Sequence, residues 1–355
     1  MFLTINRRNL RDVCGSVRFS TISPIMGGAC SLCRWICLSR IDLCQLNRIS
    51  IATRENKVDV ESFARPVAPG GMVGDFIDSL PGILAGNVLR EIIDSIVTAK
   101  RDGKPVIVTM GAHVIKVGLN PILIDLMRRG AITALGTNGA GSIHDVETAL
   151  FGVTSEDVSS GIVSGEFGMV KESNDFINEA TRKAAETDSG LGESLGRELL
   201  EADAPHADKS VLAQGAALGV PVTVHLAIGS DINHMHPTFD PAAAGVATHR
   251  DFLRFAECAT GLKEGGVLMN VGSAVLLPTI IEKSLAIARN LGHNVSGFAG
   301  INLDFVQQYR STWNPVRRAE ELGGRGLTLI GHHEILVPLI AAGVVEGLEE
   351  KSREP

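Results

Sequence analysis

The stretch Thr137-Asn-Gly-Ala-Gly-Ser-Ile-His-Asp-Val146 stands between an apolar run, residues 131–135, and a helix-patterned segment, residues 143–150. Two glycines, Gly139 and Gly141, bracket the turn, so backbone N–H groups can approach a ligand where a strand meets a helix N-terminus. Unpaired amides and the helix dipole both favour negative charge at such a place. His144 and Asp145 fall in the first turn, where an acidic residue also suits the dipole. The same residues would serve a plain β–α turn capped by Ser142, since Gly and Ser recur in such turns. The choice depends on whether the pattern repeats along the chain.

It does repeat. Helical spacing of apolar residues covers 75–101 with a break near Pro81-Gly82, then 120–129 with Pro121 in its first turn. It returns at 143–150, 171–185, 191–201, 210–218, 245–258, 279–290 and 336–349. Short apolar or β-branched runs at 105–110, 131–135, 220–228, 267–271, 298–305 and 327–330 read as strands. Residues 152–170 read as a polar, glycine-containing connection. Short apolar strands alternating with helices imply a mostly parallel sheet covered on both faces. The expected fold class is α/β, doubly wound and Rossmann-like.

In such a sheet the ligand crevice lies outside the carboxyl ends of the strands. The expected strand exits are Gly111-Ala-His113, Thr137-Asn-Gly-Ala-Gly141, Gly229-Ser-Asp231, Gly272-Ser-Ala274, Asp304 and Gly331-His-His-Glu334. Five of the six contain Gly followed closely by Ser, Asp, Asn or His. The turns expected at the opposite edge, Asp102-Gly103-Lys104, Arg128-Arg129-Gly130 and residues 215–219, lack that combination. Histidine follows the same edge, in His113, His144, His234, His236, His332 and His333. His332, His333 or His234 can serve as general base, because imidazole titrates near working pH. Glu334 can orient one of the paired histidines or stabilise a helix N-terminus. Lys116 can form an imine if desolvated, or be a solvated helix-start lysine. Asp231, His234, His236 and His332 form an alternative metal-ligand set, without any helix-based metal motif to support it.

At 355 residues, with 45% hydrophobic and 21% charged residues, the chain can build a full core. A net charge of −7 and 4% aromatics offer neither a basic patch nor a stacking platform, which argues against a nucleic-acid partner. No apolar run reaches the roughly 18 residues that a membrane span needs. Residues 1–55 differ from the rest: eight arginines against three acidic residues give +5, leaving −12 for the remainder. Five of the six cysteines also lie there, including Cys30 and Cys33. The segment reads as a targeting peptide, a Cys30-x-x-Cys33 metal knuckle or sequence upstream of the true start, and is set apart from a single α/β domain over 56–350. One cysteine in the body, Cys258, points to a reducing, cytoplasmic setting.

This ordered set of exits resembles the deoxyhypusine synthase superfamily over residues 75–345. The matching segments are Gly111-Ala-His113 through Gly118, Thr137 through Asp145, Pro221 through Asp231, and Val271-Gly-Ser-Ala274. The segment 137–153, with His144-Asp145 and Ala149-Leu-Phe-Gly152, also resembles the archaeal NAD-containing ornithine cyclodeaminase domain. The resemblance implies NAD contacts at Gly111, Ala112, His113, Thr137, Asn138, Gly139, Gly141, His144, Asp145, Asp231, Gly272, Ser273 and Ala274. The chain departs from the family where a Trp-Gly-Lys motif carries the catalytic lysine, for it reads Ile330-Gly-His-His333 there. The acidic polyamine-binding segment is replaced by one containing Arg317 and Arg318, which suit a carboxylate rather than a polycation. The expectation is therefore an NAD-binding, homo-oligomeric enzyme (a dimer or tetramer). It would act on a small amine or amino acid by transient oxidation with elimination or transfer, and not in deoxyhypusine synthesis. A metal-dependent hydrolase and a non-catalytic nucleotide-binding protein are the alternatives.

Overall fold

The computed structural model describes residues 43–350. The chain divides into two units, residues 1–57 and 58–355. Within the first, the described residues form two single-turn 3-10 helices, Leu43–Gln45 and Ile51–Thr53, with no buried side chain. The Cys30-x-x-Cys33 reading lies outside the described residues.

The second unit is built on six strands: β1 Val106–Met110, β2 Ala134–Asn138, β3 Val222–His225, β4 Val267–Val271, β5 Ala299–Asp304 and β6 Arg325–Ile330. All pair in parallel, in the order β3-β2-β1-β4-β5-β6. The helices are α1 Val73–Ser79, α2 Leu84–Arg101, α3 Ala112–Lys116, α4 Asn120–Arg128, α5 Gly139–Phe151, α6 Val158–Ser164, α7 Lys171–Glu186, α8 Leu191–Glu201, α9 Val211–Leu218, α10 Pro241–Thr260 and α11 Leu276–Asn290. The single turn α12 Tyr309–Ser311, a π-helical stretch Thr312–Arg317, α13 Arg318–Glu321 and α14 His333–Glu350 complete the unit.

Burial on both faces explains why the strands read as continuous apolar runs rather than alternating ones. Val106, Val108, Leu135 and Met269 join a large core with α2, α4, α5, α9 and α14. Their neighbours Ile107, Ala134 and Leu268 point the other way, to Phe255 and Ala259 of α10 and Ile281 and Leu285 of α11. The sheet is thus doubly wound, as expected.

Several boundaries differ from the sequence reading, two of them at the stretch that decided the fold. β2 runs to Asn138, three residues past the expected end, and α5 begins at Gly139 rather than Ile143. Glycine disfavours helix, but the Asn138 side chain accepts from Gly141 N–H at 2.9 Å and so fixes the first turn. The connection 152–170 holds α6, capped by the Asp157 side chain on Ser159 and Ser160 N–H, which periodicity over so short a segment does not reveal.

Candidate functional site

The strand order reverses between β1 and β4, and in open α/β sheets ligands bind outside the carboxyl ends at that switch point. The exits there are Gly111-Ala112-His113 and Gly272-Ser273-Ala274. Gly111 N–H donates to the Val271 carbonyl and Gly272 N–H to that of Leu303, both at 2.9 Å, so the sheet's pairing continues into the exits. The two lie so close that a Cβ on Gly111 would stand 2.4 Å from the Gly272 oxygen. Gly272 itself has φ +68°, a left-handed conformation that glycine adopts without a Cβ clash. Beneath them a buried polar row crosses three strands. Thr109 Oγ1 donates to Asn270 Oδ1 at 3.2 Å, and Asn270 Nδ2 donates to Asn302 Oδ1 at 2.8 Å. Asn270 Nδ2 also reaches the Ser273 carbonyl at 3.0 Å, which ties the β4 exit to the row.

Four side chains converge on this point, His113 from the β1 exit itself and His333, Asp304 and Phe305 from the ends of β5 and β6. His333, at the start of α14, is 1% exposed and packs on Gly272, where a Cβ would come within 2.5 Å of its Cε1. Its Nε2 is 3.9 Å from Asp304 Oδ1 at the end of β5. Neither ring nitrogen makes a well-formed hydrogen bond, although the Leu303 carbonyl lies nearby. Burial pushes its pKa down against the opposing pull of Asp304, so the resting imidazole is neutral. The exposed His113 ring stands 5.8 Å from His333, and Phe305 lies 4.8 Å from His333 and 5.7 Å from His113. Asp304 is held in place by accepting from Phe305 N–H at 2.8 Å.

His332 points elsewhere. It is exposed, with Nδ1 3.6 Å from Glu334 Oε1 and its ring 5.5 Å from Phe305. Of the paired histidines expected at this exit, His333 lies buried against Gly272, and His332 with Glu334 lies on the surface.

The β2 and β3 exits form a different assembly. Asp231 accepts from Ala140 N–H, and Asn138 accepts from Gly141 N–H, so the amides opening α5 are taken by the protein's own oxygens. A Cβ at Gly139 would meet Asp231 Oδ2 at 2.1 Å, and one at Gly141 would meet Thr137 Oγ1 at 2.1 Å. These glycines make room for side chains, which corrects the expectation that they open the helix end to an anion. His234 Nδ1 accepts from Gly229 N–H at 3.0 Å and so closes its own turn, with Nε2 4.0 Å from Asp231 Oδ2. Burial raises Asp231 to about 6 and lowers His234. His144 Nδ1 meets Thr154 Oγ1 at 2.7 Å, tying α5 to the 152–170 connection.

Other sequence-based candidates fall away from the crevice. Asp145 is fully buried and accepts from Asn120 Nδ2, Val211 N–H and Leu212 N–H at 2.9, 2.9 and 3.1 Å, and from Ser210 Oγ. Every one of its bonds holds α9 and α4 to α5, so its carboxylate is committed to the fold rather than turned to the crevice. Lys116 is exposed on α3, without the desolvation an imine-forming lysine needs. Arg317 pairs with Glu320, and Arg318 with Glu321 and Glu282, so carboxylates of the chain itself occupy both guanidinium groups. The proposed metal set does not assemble. His236 Nε2 bonds the Gly168 carbonyl at 2.8 Å. His332 follows β6 while His234 follows β3, five strand spacings away, or roughly 24 Å. Among the described residues no group of three His, Cys, Asp or Glu side chains could hold a metal.

Two buried titratable groups were not legible. Asp251 on α10 accepts from Gly192 and Val224 N–H at 2.9 and 2.8 Å, covering the edge of β3, and burial raises it to about 7. His225, bonded to Thr223 Oγ1 at 3.0 Å and edge-on to Phe255, is pushed down to about 3 by burial. A cleft of about 530 Å³ opens beside Asp251, but its Arg197 and Arg254 already pair with Glu193 and Glu257. Phe305, the last residue of the expected strand 298–305, falls just past the end of β5, where it can pack on the histidines.

No family model matches the sequence, and no curated protein matches it. Solved structures similar to it include ArgZ, an arginine dihydrolase from the ornithine–ammonia cycle in cyanobacteria. The two share 17% identity at a TM-score of 0.46, over 74% of this chain and 33% of that one. A conserved putative LOR/SDH protein from Methanococcus maripaludis S2 has 13% identity and a TM-score of 0.48, covering 85% of this chain and 76% of that one. A putative deoxyhypusine synthase from Entamoeba histolytica has 10% identity and a TM-score of 0.46, covering 78% and 94%. The match therefore spans a third of the length of ArgZ.

Proposed function

We propose that the chain is an NAD-binding enzyme acting on a small amine or amino acid, with the dinucleotide laid across the β1–β4 switch point. The observation that carries this reading is the convergence, at that point, of two touching glycine exits and a buried imidazole without a hydrogen bond. A buried polar group left unpaired costs free energy, and one that persists in a native fold calls for a reason such as a catalytic role. Asn302 Nδ2, also buried without a partner, adds a second such group on the neighbouring strand.

The exits Gly111-Ala112-His113 and Gly272-Ser273-Ala274 would hold the cofactor through their backbone. Bound NAD would supply hydride transfer, and the protein orientation and charge. The chain's own part is proton transfer by the imidazoles at the crevice, with His333 kept neutral by burial and Asp304 positioned to stabilise its charged form. A transfer or elimination step between two hydride movements, a homo-oligomeric assembly and a cytoplasmic setting belong to the same reading, as does an extension over residues 1–55. No helix among the described residues is long and apolar enough to cross a membrane.

Isothermal titration with NAD, paired with the metal content of the purified chain, tests the reading. Binding that is lost in Gly111→Val while the variant stays folded supports it. NAD bound with no turnover of pooled amines and amino acids would instead make this a nucleotide-binding protein without catalysis.

A further inference from the structure

We propose that His113 is the group that exchanges a proton with the bound substrate, and that His333 and Asp304 stand behind it as its positioning pair. This inference rests on the NAD-enzyme reading and names the residue that performs its proton transfer.

Access separates the three imidazoles. His333 has no exposed ring nitrogen and cannot touch a ligand without moving. His332 is open to solvent but turned toward Glu334. His113 alone combines exposure with a place on the β1 exit at the switch point, its ring 5.8 Å from that of His333. Phe305 packs edge-on against the His113 ring at 88° and also lies against His333, so one apolar wall fixes both rings. The arrangement runs from an exposed imidazole through a buried one to a carboxylate, drawn from three strand ends.

The proton balance follows. His113 takes a proton from a substrate ammonium on one ring nitrogen and gives the proton on its other nitrogen to His333. One N–H bond breaks on the substrate and one forms on His333, whose imidazolium then has the Asp304 carboxylate 3.9 Å away. Reversal returns the proton. The separations at rest exceed hydrogen-bond lengths, as is common before a ligand closes a site. The groups acting on His333 are Asp304 from β5, His113 from α3 and Glu334 from α14. The first and last favour its charged form, and His113 opposes it.

Carbon-13 NMR of histidine-labelled full-length chain, with signals assigned by single substitution, tests this. Asp304→Asn should shift the His113 ring signals in the native background, because the carboxylate reaches His113 through His333. In a His333→Phe background the same change should shift them clearly less, because the intervening ring is gone. His333→Gln serves if the phenylalanine variant does not fold. Equal shifts in both backgrounds, or no shift in either, would overturn the relay. Saturating NAD should move the His113 signal. If NAD binds by calorimetry yet His113 does not respond, the inference fails and the NAD reading stands. If NAD does not bind, the reading itself fails, and this inference with it.

Discussion

Gly272→Ala should destabilise the fold for two separable reasons, and their sizes can be worked from the geometry. The position has φ +68°. A left-handed conformation costs a residue with a Cβ about 1–2 kcal/mol. In addition, the new Cβ would lie 2.5 Å from His333 Cε1, against an ordinary contact of 3.4 Å or more. The imidazole is held by Phe305 and the protein interior, so relieving that overlap costs a further 1–3 kcal/mol or so, as overpacking does in other cores. The total is about 2–5 kcal/mol, to be read from urea unfolding with an unchanged slope. Gly292 is the internal control. Its φ is +88° and nothing lies within 4 Å of its Cβ position, so Gly292→Ala should show only the first cost. Introducing His333→Ala should reduce the Gly272→Ala penalty to that of the control, a coupling of about 1–3 kcal/mol between neighbours. If Gly272→Ala costs no more than Gly292→Ala, or if removing the ring leaves its cost unchanged, His333 does not pack on the β4 exit and the crevice geometry is wrong.

Asp145→Asn should lower stability by about 1–3 kcal/mol, because Leu212 N–H loses its acceptor while buried. NAD affinity by calorimetry should not change, and a stable variant that has lost affinity would return Asp145 to the ligand site. Burial raises Asp251 from 3.8 to about 7, so the folded chain holds that proton where the unfolded chain has released it. The unfolded state therefore binds fewer protons between about pH 4 and pH 7, and stability falls as pH rises through that window. Urea midpoints across it should decline less steeply in Asp251→Asn, and an equally steep decline would show that other groups govern it. Alanine at Arg317 and Arg318 together should leave NAD titrations unaltered, since both guanidinium groups are satisfied on the chain's own carboxylates. A tenfold loss would place them in the site after all.

The alternation of apolar strands with amphipathic helices made the doubly wound sheet legible, because burial on both faces leaves a direct trace in composition. The strand exits were legible for the same reason: once the strands are located, the residues that follow them are known. Side-chain direction was not. His332 and His333 are neighbours in sequence, yet the start of α14 leaves the first exposed and turns the second against Gly272, and nothing in the local pattern distinguishes them. The glycines of the Thr137–Val146 stretch illustrate a second limit. They stand where a ligand would require them, but Asp231 and Thr137 use the space, and a close approach reads alike in sequence whatever atom makes it. Asp145 and Asp251 were misread or missed because a buried carboxylate that caps distant amides depends on partners 25–67 residues away. Only the folded chain brings those amides to it.

Mass spectrometry of small molecules released from the full chain, purified without added cofactor, shows whether the β1–β4 switch point holds NAD. Substoichiometric or full NAD should appear in the native protein and vanish from folded Gly111→Val, in which a side chain replaces the close contact between the two exits. Native protein that releases no NAD and takes up none when it is supplied, or a Gly111→Val variant that retains NAD as the native chain does, would contradict NAD binding at the switch point.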